Sequence, residues 1–365
     1  MISAARKSAT KRARRSDMRK RTATIEDIAA RIGVHWSTVS RVLNPATRSM
    51  VSEKVGRRVL ETAKELGYTR NVLAAGLKNG RTYTVGIVIP DLTNPLFPPI
   101  VRAIERTLQA AGYIAILADT DNSSSNERAI IQTLISRRVD GLILATAFRK
   151  DELIESYIND QIPIVLVNRT IKNDSATAVI NDDEFGIKLA FEHLVNLGHR
   201  KIAYLGGPMR MSTSYARYQA FLGASRAHGI LINRALMVNA AALTEQSGRA
   251  AVDQILSQGA SLTAILTAND RLALGCYDAL REKGLRCPDD VSVTGFNDMP
   301  YVDRLTPPLT TLHVPHDEMG KLAASLLLDQ LGVPKAVARQ VRLTPSLVVR
   351  GSTAPPPRKP KASRK

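Results

Sequence analysis

The sequence is poor in the residues that build redox, metal and cofactor sites. It holds two cysteines, Cys276 and Cys287, in 365 residues. No Cys/His cluster has zinc spacing, so no metal is expected and no cofactor either. Two isolated thiols fit a reduced, cytosolic protein better than a disulfide scaffold. Aromatics make up 4% of the chain, with one tryptophan, Trp36. No apolar run reaches the roughly 18–20 residues that span a bilayer. The basic N-terminus has no apolar segment behind it, which excludes a secretory signal. Enzyme signatures are missing as well: there is no G-x-G-x-x-G after the first strand-like run, no Walker loop and no G-x-S-x-G. The glycines of YLGGPM, Tyr204–Met209, are wrongly spaced for a phosphate loop. The expectation is therefore not an enzyme.

Positive charge is abundant, and it is concentrated at the two ends of the chain. The net charge is +18; residues 1–82 carry 19 Lys+Arg against 6 Asp+Glu, and residues 351–365 carry five basic residues and no acidic one. The stretch between is neutral, with 27 of each sign. A basic small domain joined to a neutral large one points to nucleic-acid binding combined with a separate task. Residues 1–22 and 352–365 read as disordered basic tails.

Periodicity begins at Thr24. This residue suits a helix N-cap, with Asp27 three positions on, and Ile25, Ile28, Ala29 and Ile32 share one helical face. Gly33 then supplies a turn. In the next segment Val39, Val42 and Leu43 form an apolar face, and Trp36, Ser37, Ser40 and Arg41 lie opposite. A third helix is expected over about Ser52–Leu66. Two short helices around a tight glycine turn read as helix-turn-helix. The segment NVLAAGLKNG, Asn71–Gly80, is too short to be a stable lone helix, but its small residues suit packing against a second copy.

ATIEDIAARIGVHWSTVSRVLN and ELGYTRNVLAAGLKNG together resemble the headpiece and hinge helix of the LacI/GalR family of bacterial repressors. The resemblance covers about Thr24 to Gly351. It implies a headpiece over 23–69, a hinge helix over 70–80 and a two-lobed ligand-binding and dimerisation domain over 83–351. The second helix would enter the major groove of an operator half-site. Trp36, Ser37 and Arg41 fall at base-reading positions, and Thr38 and Ser40 at phosphate contacts. Thr24, Asn44, Asn71 and Ala74 complete the expected DNA surface, and Leu77 matches a leucine that wedges into the minor groove. His35 stands where the family usually has serine, Arg70 where proline is common and Ala75 where a basic residue is frequent.

From Tyr83 onward, strand-like runs (TVGIVIPD, IAILAD, GLILATA, IPIVLVN, AVIND, KIAYLGG, TAILTAN, VSVTGFN) alternate with helix-like ones, a doubly wound α/β pattern with buried parallel sheets. Ligands in such folds bind beyond the carboxyl ends of the strands. Candidate residues are thus found in Asp91–Phe97, Asp119–Asn122, Asn168–Arg169, Gly207–Arg217, Asn269–Asp270 and Asn297–Asp298, a polar mix suited to a hydroxyl-rich ligand. The resemblance extends to the two-lobed, type I periplasmic sugar-binding fold. It places Asn94, Phe97, Arg169, Arg217, Asn269 and Asn297 at pocket positions, with Asp119 a further strand-end candidate. Asn297 departs from the usual aspartate.

Three crossings between lobes are expected, near Val179–Asp182, Asn297–Pro300 and His313–His316. The first lobe would then hold 83–180 plus 315–334, and the second 181–314 plus 335–351. The implied protein is a dimeric cytoplasmic regulator, held at the nucleoid when bound to double-stranded operator DNA. Its effector is a sugar-like molecule, with a purine-type co-repressor as the alternative, and it has no membrane partner. A plain sugar-binding protein and an enzyme are the rival classes; salt-dependent binding to duplex DNA separates them from a regulator.

Overall fold

A computed structural model describes residues 23–68, 80–173, 175–333 and 337–357. The N-terminal basic segment and the hinge positions Asn71, Ala74 and Leu77 lie outside the described residues, as does the chain from 358 on. The chain divides into two compact units between Thr82 and Tyr83.

The first unit is helical. Helix α1, Ile25–Ile32, opens on a capping box: Asp27 N donates to Thr24 Oγ1 at 3.2 Å and Thr24 N to Asp27 Oδ2 at 2.8 Å. It ends at Gly33, whose φ of 70° is the left-handed conformation that glycine adopts without steric penalty. Helix α2 spans Trp36–Leu43 and α3 spans Glu53–Glu65. Between them runs a short 3₁₀ turn, Pro45–Met50, which periodicity does not reveal; it is tied back by Arg48 Nε to Val42 O at 3.0 Å. Ile28, Ala29, Val39, Val42, Val59 and Ala63 form the core. Six buried side chains make a small core, so each one matters to the stability of this unit.

The second unit holds two lobes. In the N-terminal lobe, strands β1 (Thr84–Ile89), β2 (Ile114–Asp119), β3 (Gly141–Leu144), β4 (Ile164–Val167), β5 (Thr177–Asn181) and β11 (Gln340–Leu343) form one parallel sheet, ordered β11-β5-β4-β3-β1-β2. In the C-terminal lobe, β6 (Ile202–Gly206), β7 (Met237–Asn239), β8 (Ala264–Thr267) and β9 (Ser292–Thr294) form a second, ordered β7-β6-β8-β9. A two-stranded antiparallel ladder, β10 (Thr311–His313) with β12 (Ser346–Val348), stands apart from both. The helices that bear on function are α4 (Phe97–Ala110), α5 (Ser124–Ser136), α7 (Asp183–Asn196), α8 (Ser212–Ala227), α9 (Glu245–Ser257), α10 (Asp270–Glu282) and α11 (His316–Gly332), with α6 (Glu152–Asn159) between β3 and β4. Helices α9 and α10 approach backbone to backbone. A Cβ on Gly275 would collide with Glu245 O and Arg249 N, and one on Gly248 with Leu272 O.

Two expectations need correcting. Residues 340–343 return to the first lobe rather than staying in the second. Strand β5 is buried along its whole length and needs a ladder partner on its outer side. β11 supplies it, with Ala178 N donating to Arg339 O at 2.9 Å and Asp182 N to Leu343 O at 2.8 Å. The crossings therefore fall after Asn181, at Val314–His316 and after Leu343. Asn297–Pro300 does not cross: Asn297 N donates to Leu312 O at 2.9 Å, so this loop runs alongside β10. The expectation of a disordered tail from 352 also needs correcting, because Ser352, Thr353 and Ala354 are packed. Ser352 is fully buried, its Oγ donating to Val293 O at 2.6 Å and accepting from Thr310 N at 2.8 Å. Ala354 N donates to Ser292 Oγ at 3.0 Å, and Ala354 O lies 2.9 Å from His199 Nε2. Hydrogen bonds hold this segment, not apolar side chains, which is why composition misreads it. No described helix is long and apolar enough to cross a membrane, and no metal-holding His/Cys/Asp/Glu group occurs among the described residues.

Candidate nucleic-acid interface and ligand cleft

Helix α2 presents one face to the core and another outward. Val39 and Val42 are fully buried, whereas Trp36 is 49% exposed and Arg41 is exposed beside it. Ser37, Thr38, Ser40 and Asn44 are half-buried along the same helix. His35, where the family pattern has serine, takes over the capping role. Its Nδ1 accepts from Ser37 N at 3.3 Å and lies 2.8 Å from Ser37 Oγ. The imidazole also sits 5.3 Å from the Trp36 ring, steadying the indole from behind. Arg41 has no ion pair among the described residues, so its guanidinium is available to an outside acceptor. Thr24 is already committed, its hydroxyl accepting from Asp27 N and donating to Asp27 Oδ2 at 2.9 Å.

The cleft candidates fall into two groups. On the C-terminal lobe, Arg217 of α8 is tied to Asp183 at the start of α7. Its Nε and Nη2 each lie 2.8 Å from Asp183 Oδ1, Nη1 donates to Ala268 O, and Cζ stacks 3.6 Å from the centroid of Phe296. Those contacts bring Arg217 next to Asn269 and Asn297. Asn269 caps α10, with Oδ1 accepting from Leu272 N at 2.9 Å and Nδ2 donating to Leu243 O at 3.3 Å. Asn297 is buried, and its Oδ1 has no partner.

On the N-terminal lobe, Arg169 follows β4 and is 7% exposed. Its side-chain Nη1 donates to Thr146 O at 3.4 Å and its backbone N to Val167 O at 2.7 Å. Burial lowers its pKa to about 10; the nearby Glu127 charge opposes this, and the smaller effect of Arg210 adds to it. The remaining three candidates of this lobe have structural duties. Asn94 Oδ1 accepts from Leu96 N at 3.1 Å ahead of α4, and Phe97 is buried in the lobe core. Asp119 accepts from Leu92 N and Asp121 N, both at 2.9 Å.

Several functional neighbours carry weak sequence signals. Asp183 lies two residues past a recognisable strand and was within reach of the strand-end rule. The cross-lobe contacts had no local signal at all. Arg271 on α10 reaches Asp91 of the other lobe at 3.0 Å while its Nε holds Glu245 at 2.8 Å. Arg149 and Arg210 form a reciprocal clasp: the Arg149 guanidinium lies 3.4 Å from the centroid of Tyr215, and that of Arg210 4.5 Å from Phe148. Between them Arg149 N donates to Arg210 O at 2.8 Å, and Thr170 N donates to Ser212 Oγ at 3.0 Å.

Among the described residues, seven polar side-chain atoms are buried without a protein partner: Thr170 Oγ1, Asn181 Oδ1, Tyr204 Oη, Ser214 Oγ, Thr294 Oγ1, Asn297 Oδ1 and His316 Nε2. Orphaned polar atoms are costly, and those beside the cleft candidates, such as Asn297 Oδ1, are ones that a polar ligand or water would satisfy. His316 is kept neutral, its pKa lowered to about 4 by burial and by His313. Asp270 is raised to about 7 by burial although Thr311 and Met299 N donate to it.

The architecture and its sites define a class: a helix-turn-helix headpiece joined to a two-lobed ligand-binding domain. Residues 24–71 match the family described as bacterial regulatory proteins, lacI family, and residues 191–353 match the periplasmic binding protein-like domain. The chain is 33% identical over 333 residues to the ribose operon repressor of Escherichia coli (strain K12), covering 90% of this chain and 99% of that protein. It is 34% identical over 339 residues to the transcriptional repressor PurR of Pectobacterium atrosepticum, covering 92% and 98%. Among solved structures, a Lac repressor dimer bound to operator and the anti-inducer ONPF is similar with a TM-score of 0.82 at 28% identity, covering 92% of this chain and all of that one. The chain belongs to the lacI family of transcriptional regulators, which are not enzymes.

Proposed function

We propose that this chain is a homodimeric repressor whose affinity for a near-palindromic operator is set by a small, hydroxyl-rich effector of the sugar type. Each copy lays α2 in a major groove, with Trp36, Ser37 and Arg41 at base edges and Thr38, Ser40 and Asn44 towards the backbone. Asn71, Ala74 and Leu77 act at the operator centre. The observation that carries this reading is the pairing of an outward polar face on α2 with a cleft of orphaned, buried polar atoms. A second copy is supported by β2. It is an edge strand whose Ile114, 68% exposed, lies near exposed Ile116 and Leu117, an apolar edge that invites coverage. A regulator of this kind works in the cytoplasm, where the chromosome is.

The effector binds around Asn94, Arg169, Arg217, Asn269 and Asn297, and Asp119 and Phe97 shape the N-terminal wall. Control of DNA affinity requires only that the effector bind the operator-competent and incompetent states unequally. The test is a titration of duplex DNA, selected from a random pool, against a panel of neutral sugars, sugar acids and purines. Operator affinity should change at least tenfold with one sugar-type member. A response only to purines, or none at all, sinks the effector class. Arg41→Ala should flatten base preference at one position with little change in salt slope; uniform weakening on all sequences refutes its base-reading role.

A further inference from the structure

We infer that His35 fixes the hydrogen-bonding polarity of Ser37. It takes the Ser37 hydroxyl proton, so that Ser37 offers DNA only lone pairs and selects a base with an exocyclic amino group, adenine or cytosine. The inference rests on α2 being the DNA-facing helix, as proposed above, and deepens that reading.

The assignment follows from which atoms can donate. His35 is the N-cap of α2, and Thr38 N donates to its carbonyl oxygen at 2.9 Å. Ser37 N donates to His35 Nδ1 at 3.3 Å. A backbone N–H can only donate, so Nδ1 is an acceptor and the imidazole carries its proton on Nε2. Ser37 Oγ lies 2.8 Å from the same Nδ1. With no proton on Nδ1, the hydroxyl is the donor in that bond. A hydroxyl has one proton and two lone pairs, so acceptor capacity is what remains on Oγ.

Among the described residues no other acceptor takes this proton. A serine inside a helix can donate back to a carbonyl three or four residues earlier. Ser37 is the second residue of α2, so those carbonyls belong to Gly33 and Val34, in the turn before the helix. The hydroxyl bonds to His35 instead. The Trp36 ring, 5.3 Å from the imidazole and tilted by 40°, packs against it and restricts its rotation.

This commitment changes what α2 can recognise. The indole N–H of Trp36 and the guanidinium of Arg41 are donors only. A free serine hydroxyl serves either polarity and so discriminates little between bases. Held by His35, Ser37 becomes the one acceptor among the three side chains placed at base edges. It accepts from adenine N6 or cytosine N4, the amino groups exposed in the major groove. The O6 of guanine or the O4 of thymine at the same place would face lone pairs and be rejected.

The experiment uses the full-length protein and a duplex that it selects from a random pool. Each position of one half-site is made with each of the four bases, and affinities are measured by anisotropy at fixed ionic strength. The Ser37 position is the one whose preference disappears in Ser37→Ala, and the Arg41 position is found in the same way. At the Ser37 position wild type should favour adenine or cytosine over guanine or thymine by about tenfold. His35→Gly keeps an acceptable helix N-cap but removes the acceptor, and should cut that ratio to about twofold while discrimination at the Arg41 position persists. His35→Asn, whose side-chain oxygen accepts from the same two donors, should restore most of the ratio. A role for His35 in starting the helix alone would weaken all sequences together and leave the ratio unchanged. A preference for guanine or thymine at the Ser37 position, a ratio that survives His35→Gly, or a Ser37→Ala variant with every preference intact overturns the inference and leaves α2 as the DNA-facing helix. If Arg41→Ala and replacement of Trp36 also leave every preference intact, the DNA-reading role of α2 falls with it.

Discussion

Replacing Arg217 by alanine tests how the cleft is held together. Both side chains of the Arg217–Asp183 pair are nearly out of solvent, 4% and 9% exposed, and Nη2 lies 2.8 Å from Asp183 Oδ1. Removing one partner of a buried pair costs about 3–5 kcal/mol, because the other charge is left without compensation. The stacking of Arg217 on Phe296 is lost as well. For a domain of this size each kcal/mol moves the melting point by about 2–4 °C, so a drop of roughly 6–20 °C is expected. The pH dependence gives the cause. Burial raises the Asp183 carboxyl, and Arg217 opposes that rise. Without Arg217 the folded-state pKa climbs further above the unfolded value. A group raised on folding contributes most at low pH and loses its contribution as pH rises through the folded pKa. The deficit of Arg217→Ala should thus be largest near pH 8 and shrink towards pH 5, and adding Asp183→Asn should recover part of it. Thermal melts by far-UV circular dichroism at three pH values decide this. A loss below about 1 kcal/mol, or one that does not vary with pH, refutes the buried-pair argument. An effector assay on Arg217→Ala must therefore be read beside its stability.

Three further outcomes are expected. Gly275→Ala forces α9 and α10 apart where Glu245 O and Arg249 N occupy the methyl position, and should destabilise by about 3 kcal/mol or more; a neutral effect in urea unfolding counts against the close crossing. Arg271→Gln removes the one cross-lobe ion pair among the described residues. It should alter stability by less than about 1 kcal/mol and yet change effector affinity several-fold; unchanged affinity by calorimetry shows that the pair does not bear on closure. The Asp270 carboxyl, at about 7 in the fold, makes the protein lose stability as pH rises from 5 to 8. Asp270→Asn should flatten that part of the melting-temperature profile, and an unchanged slope assigns it to other groups.

Features set by local chemistry were readable from the chain. Thr24 and Asp27 announce their capping box, Gly33 its turn, and the spacing of Trp36 against Val39 and Val42 gives its outward face. Eight strands stand out as apolar runs, seven of them because both faces of a parallel strand are buried; the eighth, β2, is an exposed edge that stands out by its apolar residues alone. Features set by distant partners were hidden. Met237–Asn239 and Thr311–His313 are three-residue strands that exist only because a neighbour pairs with them. The run Gln340–Leu343 joins β5 across the lobe boundary, and Ser352–Ala354 is fixed by hydrogen bonds to Val293, Thr310, Ser292 and His199. Within the cleft, strand-end position identifies Arg169, Arg217, Asn269 and Asn297. It says nothing of Arg271 meeting Asp91, 180 positions away, or of the Arg149–Arg210 clasp.

Trp36 offers the most direct test of the central claim, that α2 faces DNA. It is the sole tryptophan, so the intrinsic fluorescence of the native protein reports on that one position. Duplex selected from a random pool is titrated into the protein, with binding followed independently by anisotropy of labelled DNA. Trp36 emission should quench in step with binding and recover as effector releases the duplex, or quench further if effector tightens binding. Emission that stays constant while anisotropy reports saturation would contradict the account, because the indole at the start of α2 would then lie away from the bound DNA.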